Sequence, residues 1–139
     1  MQGGVVTDAR PEPGKSQRSQ LLLVEDDPHV LETLAELLEL EGYGVYTAHD
    51  AVSALEVLRE HGVSIVLCDL RLRGGMDGYE FARVCRSNPR LAELRLIALS
   101  GYDGDEDRRR AADAGFDRLL RKPVDLDDLC TAMERGRSG

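Results

Sequence analysis

Three carboxylates stand at the ends of two apolar runs. Glu25 and Asp26 follow Leu21-Leu22-Leu23-Val24, and Asp69 follows Ile65-Val66-Leu67-Cys68. Two further runs end the same way: Ser100 after Leu96-Ile97-Ala98-Leu99, and Lys122-Pro123 after Leu119-Leu120-Arg121. Acids, a hydroxyl and a lysine that meet in one place can bind a divalent metal and manage a phosphoryl group. The donors are oxygen, with no His or Cys among them, which selects Mg²⁺ or a similar hard ion such as Mn²⁺ over zinc. Asp26 and Asp69 are the direct ligand candidates, and Glu25 acts through a water. A backbone carbonyl from the loop after Asp69, with Arg71 as the candidate, adds to the set. With the charge neutralised, the Asp69 carboxylate can approach a phosphoryl donor. Lys122 then pairs with the phosphoryl oxygens, and the Ser100 hydroxyl bonds one of them.

Each residue also has a plainer reading. Asp26 and Asp27 can be helix-start residues favoured by the dipole, and for Asp27 that reading is preferred. Asp69 can start a loop, Ser100 can sit in a turn, and Lys122 can be a solvated surface lysine. Five such groups at four strand ends in one register argue for the joint reading.

The elements that must position these groups alternate. Leu21–Glu25 reads as a strand covered on both faces. Asp27 as N-cap and Pro28 at the first turn open a helix to about Glu41, with Val30, Leu31, Leu34, Leu37, Leu38 and Glu41 on its period and Gly42 as its stop. Gly44–Ala48 is a second strand. Asp50 caps a helix that Gly62 ends. Ser64–Cys68 is the third strand, followed by the glycine-rich loop Arg71–Gly78. Tyr79 to about Ser87 is a helix with Phe81 and Val84 facing in. Arg95–Leu99 is the fourth strand, Asp105–Ala114 a charged helix, and Arg118–Arg121 the fifth strand. Asp125 caps the last helix, with Asp128 in a capping-box position and Leu129, Ala132 and Met133 on the inner face. Strict β/α alternation implies a parallel five-stranded sheet in a three-layer α/β sandwich, whose strand C-termini line one crevice.

Bulk properties bound the rest. The chain has 139 residues, 42% of them hydrophobic, which suits one domain with one core. Its net charge of −8 argues against direct nucleic-acid binding. Cys68, Cys85 and Cys130 show neither disulfide nor metal spacing and read as small apolar residues in a reducing cytosol. No membrane span and no secretion signal is visible, so the expected location is cytoplasmic. Residues 1–20 read as a flexible lead, 21–135 as the folded unit, and 136–139 as a frayed end. His29, His49 and His61 read as surface residues. Arg108, Arg109 and Arg110 read as a solvated face compensated by Asp105, Glu106 and Asp107.

A family resemblance rests on six segments. These are Leu-Leu-Val-Glu-Asp-Asp-Pro at 22–28, Val-Leu-Cys-Asp-Leu at 66–70, Met-Asp-Gly at 76–78, Ile-Ala-Leu-Ser-Gly-Tyr at 97–102, Ala-Gly-Phe-Asp at 114–117 and Lys-Pro-Val at 122–124. From Leu21 to Arg135 the chain resembles the receiver domain of two-component response regulators. The resemblance implies a flavodoxin-like (βα)5 fold with strand order 2-1-3-4-5. It implies Asp69 as phosphoacceptor, Glu25 and Asp26 as the acidic pair, Ser100 as the switch hydroxyl, Lys122 as the phosphoryl-binding lysine, and a cis bond before Pro123. The donor it implies is a sensor histidine kinase or a phosphotransfer protein. Output, including a homodimer option, would use the face of the fourth helix, fifth strand and fifth helix, and the downstream partner stays open. Such a domain catalyses its own phosphorylation but is not counted as an enzyme.

The sequence departs from the family in its loop after the acceptor, where Arg73, Gly74 and Gly75 replace the usual proline turn. It also departs at the aromatic switch position, which is Leu119. Arg71 and Tyr102 should flank the phosphoryl group and slow its hydrolysis. Two rival readings differ at definite residues. A phosphohydrolase of the haloacid dehalogenase type would want an acid where Arg71 stands. A flavin module would want a phosphate-cradling loop where Glu25-Asp26-Asp27-Pro28 stands.

Overall fold

The computed structural model describes residues 19–135. The lead up to residue 18 and the end from residue 136 lie outside the described residues. Ten elements alternate: β1 Gln20–Val24, α1 Pro28–Leu40, β2 Gly44–Ala48, α2 Ala51–Glu60, β3 Ile65–Asp69, α3 Gly78–Ser87, β4 Arg95–Ser100, α4 Asp105–Ala114, β5 Arg118–Arg121 and α5 Leu126–Arg135. The five strands are all parallel, in the order β2-β1-β3-β4-β5. This is the expected order. The interiors of the central strands are apolar because helices cover both faces, and β3 is buried at every position.

Alternate residues of each strand face opposite layers. Leu22, Val24, Val66, Cys68, Leu96 and Ala98 pack with Phe81, Ala82 and Cys85 of α3 and with α2 and α4. Leu21, Leu23, Ile65, Leu67, Ile97 and Leu99 pack with Leu38 of α1 and Leu129, Ala132 and Met133 of α5. No disulfide joins the three cysteines. Burial, above all, pushes the Cys68 thiol well up and that of Cys85 to about 11, so both stay protonated and inert.

Several boundaries and faces differ from the sequence reading. Gln20, placed in the lead, begins β1 and pairs with Gly44. Val84, expected to face in, is 37% exposed, and on α1 Val30 and Leu37 are exposed while only Leu38 is fully buried. Helical spacing identifies an apolar stripe but not its width; here the stripes extend beyond the cover their neighbours give. At α5 the Asp125 carboxylate accepts from the Asp127 N–H at 3.0 Å, and no hydrogen bond links it to Asp128 among the described residues. The capping box lies instead at α3. There Asp77 accepts from the Glu80 N–H at 2.9 Å, and the Glu80 carboxylate accepts from the Asp77 N–H at 3.2 Å.

At the end of the sheet away from the strand C-termini, Arg86 acts as a clasp. Its guanidinium donates to the carbonyls of Gly115, Ala92 and Leu94 at 2.7–2.8 Å and to Asp117 at 3.0 Å. Gly115 lies at φ 119°, and a Cβ there would sit 2.5 Å from Arg86 Cγ. Glycine is therefore needed at this helix end both for its conformation and for room. No helix among the described residues is long and apolar enough to cross a membrane.

Candidate functional site

The strand C-termini bring the sequence-predicted groups together. Glu25 stands one residue past β1, with its backbone N–H tied to the Ala48 carbonyl at 3.0 Å. Asp69 ends β3 and Ser100 ends β4. Lys122 follows β5, and its N–H donates to the Ser100 carbonyl at 2.7 Å. Glu25, Asp69 and Ser100 are the three buried polar residues of the described chain, at 2%, 5% and 4% exposure. Buried polar groups concentrated at one spot need partners, and here they are one another's neighbours.

Lys122 Nζ lies 3.0 Å from Glu25 Oε1 and 3.1 Å from Asp69 Oδ2. Burial alone would lower the lysine's pKa. The hydrogen bond to Glu25 and the charges of Asp69 and Glu25 outweigh that, and the ammonium is held above its ordinary range. Glu25 is shifted upward, chiefly by burial and further by the Asp69 charge; Lys122 and the Asp27 N–H oppose the shift without cancelling it. Glu25, Asp26 and Asp69 each bring an oxygen within 4.8 Å of the other two. Hard carboxylate donors with one lysine between them fit a small divalent cation such as Mg²⁺. Asp27 does what the plainer reading assigned it: its carboxylate accepts from the N–H of His29 at 2.9 Å and caps α1.

The loop after β3 is more tightly bound to the acids than its glycines suggest. Arg71 N–H donates to Asp69 Oδ1 at 2.9 Å. Arg73 reaches Asp26 twice, with its N–H at 3.3 Å and its Nε at 3.4 Å. Gly74 and Gly75 hold φ of 94° and 111°, which lets the loop turn back. Gly78 opens α3 against the acceptor strand: a Cβ there would lie 2.8 Å from the Asp69 carbonyl and from Leu70 Cα. Neither the Arg73 contact nor the role of Gly78 is visible in the sequence. The Met-Asp-Gly motif marks the place without the reason.

On the opposite wall Tyr102 N–H donates to Ser100 Oγ at 3.0 Å. The Arg71 guanidinium carbon lies 4.9 Å from the Tyr102 ring centroid, so the two residues expected to flank the crevice do meet there. Leu119 is buried at 5% exposure in the layer under α3 and α4. Lys122-Pro123 is cis, as expected. Arg108 pairs with Asp103 at 3.5 Å, outside the three acids expected to compensate the run, and Arg110 stacks over Tyr79 at 4.1 Å.

Comparison with known proteins agrees with this geometry. Residues 21–134 match the response regulator receiver domain family. The chain is 37% identical over 117 residues to the transcriptional regulatory protein GlrR of Escherichia coli, covering 84% of this chain and 26% of that protein. It therefore spans about a quarter of that relative's length. It is also 37% identical over 115 residues to an uncharacterized 14.6 kDa protein of Leptolyngbya boryana, covering 83% of this chain and 87% of that one. Among solved structures, the receiver domain of a Pseudomonas aeruginosa sensor histidine kinase, which has magnesium coordinated in its active-site cleft, superposes with a TM-score of 0.78. It is 27% identical and covers 87% of this chain and 98% of its own. With its strand order, its buried acid–lysine cluster and its match from Leu21 to Glu134, this chain belongs to the response regulator receiver domains of two-component signalling.

Proposed function

We propose that this receiver accepts a phosphoryl group from a phosphohistidine onto Asp69. The observation that carries the reading is Lys122 Nζ at 3.0 and 3.1 Å from Glu25 and Asp69, beside three carboxylates gathered within 4.8 Å. In the transfer, an Asp69 oxygen forms a bond to phosphorus while the bond from phosphorus to the imidazole nitrogen breaks, its electrons returning to the ring. Glu25, Asp26, Asp69 and the Arg71 carbonyl would hold Mg²⁺ or Mn²⁺. When bound, the ion neutralises the charge that otherwise keeps a carboxylate from a phosphoryl group. Lys122, already protonated and centred between the acids, is placed to pair with the phosphoryl oxygens. The Ser100 hydroxyl is positioned to bond one of them.

The donor is a sensor histidine kinase or a phosphotransfer protein. A groove of about 630 Å³, lined by Val30, Leu34, Leu37, Pro123 and Val124, opens beside Glu25 and Lys122 and gives that donor an apolar surface next to the acceptor. The face of α4, β5 and α5 is proposed for output and for a homodimer. The domain is a cytoplasmic signalling module that catalyses its own modification, not an enzyme with a substrate of its own.

Intact mass after incubation with Mg²⁺ and acetyl phosphate tests the reading. The wild type should gain one phosphoryl group, and neither Asp69→Asn nor the metal-free sample should. An equal gain in Asp69→Asn would sink the assignment.

A further inference from the structure

Two surfaces near the edge where the strands begin each lack what the other offers. The first is the end of α1. Leu40, its last residue, is 78% exposed. Glu36, one turn back on the same face, and Glu39 and Glu41, on either side, are exposed as well. An exposed leucine alone needs no explanation. Acids crowded on a helix C-terminus do, because they meet the negative end of its dipole. The last turn of α1 holds no base, and none of these three acids forms an ion pair among the described residues.

The second surface is a groove of about 570 Å³ between α2 and α3, with Leu55, Leu58, Val63, Val84, Leu91 and Leu94 along it. It is where Val84 emerges, at 37% exposure. Arg59 and Arg90 line the groove against a single acid, Glu93. Both arginines are exposed, and neither forms an ion pair among the described residues. In a chain of net charge −8, two uncompensated cations beside an apolar groove fit an apolar side chain flanked by carboxylates.

We propose that a second copy of this chain seats the Leu40 end of α1 in the α2–α3 groove, with Glu39 and Glu41 facing Arg59 and Arg90. Leu40 cannot fill the groove of its own copy. α1 packs on the layer of Leu21 and Leu23, whereas Leu58 and Leu94 of the groove belong to the layer of Leu22 and Val24, so the sheet lies between them. Helix end and groove are unlike surfaces, so each copy can both give and receive. The contact is separate from the face of α4, β5 and α5. It leaves the Asp69 edge open to a donor and does not depend on Asp69 being the acceptor.

Sedimentation of the full, unphosphorylated chain tests this at protein concentrations up to about 1 mM, enough to register a millimolar Kd. The wild type should self-associate. Arg59→Glu with Arg90→Glu should weaken association about tenfold, and so should Glu39→Lys with Glu41→Lys. The second pair separates contact from bulk charge. It makes the chain less negative, so general repulsion alone would give stronger association, and lysines suit a helix C-terminus, so the fold is not weakened. An equimolar mixture of the two variants should recover association, because reversed groove then meets reversed helix end. A monomer at every concentration overturns the inference and leaves the groove to a different partner. Association that neither reversal alters also overturns it and gives self-association to another face. Both of these outcomes leave the Asp69 assignment standing, since intact mass tests it separately.

Discussion

At Lys122 burial and charge pull in opposite directions, and charge wins. The ammonium sits between Glu25 and Asp69 and is held protonated above its usual range, while Glu25 is pushed up mainly by its own burial. A cation fixed between two acids is poised to turn to a newly added phosphoryl group. The exposed side chains of Arg71 and Tyr102 are proposed to govern how long such a group would persist on Asp69. Packed together at 4.9 Å, beside Asp69 and Ser100, they would stand in the way of an attacking water. The double variant Arg71→Ala plus Tyr102→Ala should therefore lose its phosphoryl group about tenfold faster, equivalent to ~1.4 kcal/mol of barrier. Decay of phosphorylated protein after donor removal measures this, and equal rates would refute the shielding role. The candidate site residues are legible in the sequence because each follows or ends an apolar run. The contact of Arg73 with Asp26 is not, since it joins positions that no local pattern relates.

Elements are most legible where a cap and a period agree. Asp50 before α2 shows why: its carboxylate accepts the Ser53 N–H at 2.8 Å, and that bond, first, holds its pKa below the ordinary 3.8. A carboxyl group depressed in the folded state stabilises above its unfolded pKa, and the effect is lost as pH falls through the folded value. Asp50→Ala should therefore cost about 1 kcal/mol at neutral pH, with the difference from wild type shrinking in acid. Urea midpoints measured at pH 7 and below pH 3 would check the sign. Patterns fail where burial depends on neighbours. Val84 and Leu37 lie on the correct stripes yet emerge at grooves, because a stripe's edge is decided by how closely the adjacent helix packs. The α3 capping box is hidden in the sequence because it sits inside a glycine-rich stretch that looks like loop.

For the molecule as a whole, strict alternation of apolar runs and helical periods specifies the layers, and parallel pairing places the site at the C-terminal edge. The Arg86 clasp at the other edge is not legible, since its partners are carbonyls from two separate connections. A fold that gathers acids at one edge should gain stability when their charge is offset. At free Mg²⁺ one hundred times its Kd, the wild type should be more stable by about 2.7 kcal/mol, and Asp26→Asn by much less. Calorimetric melts with Mg²⁺ and with a chelator would measure the difference; identical shifts in both proteins would exclude binding at these acids. The arrangement of the two edges has one more consequence. Gln20 starts β1, and Arg95, at the start of β4, donates to the Ala132 carbonyl near the close of α5 at 3.0 Å. The polypeptide thus enters and leaves at the edge opposite Asp69. Both ends of the described fold therefore lie away from the crevice, and a partner that approaches the Asp69 edge meets neither of them.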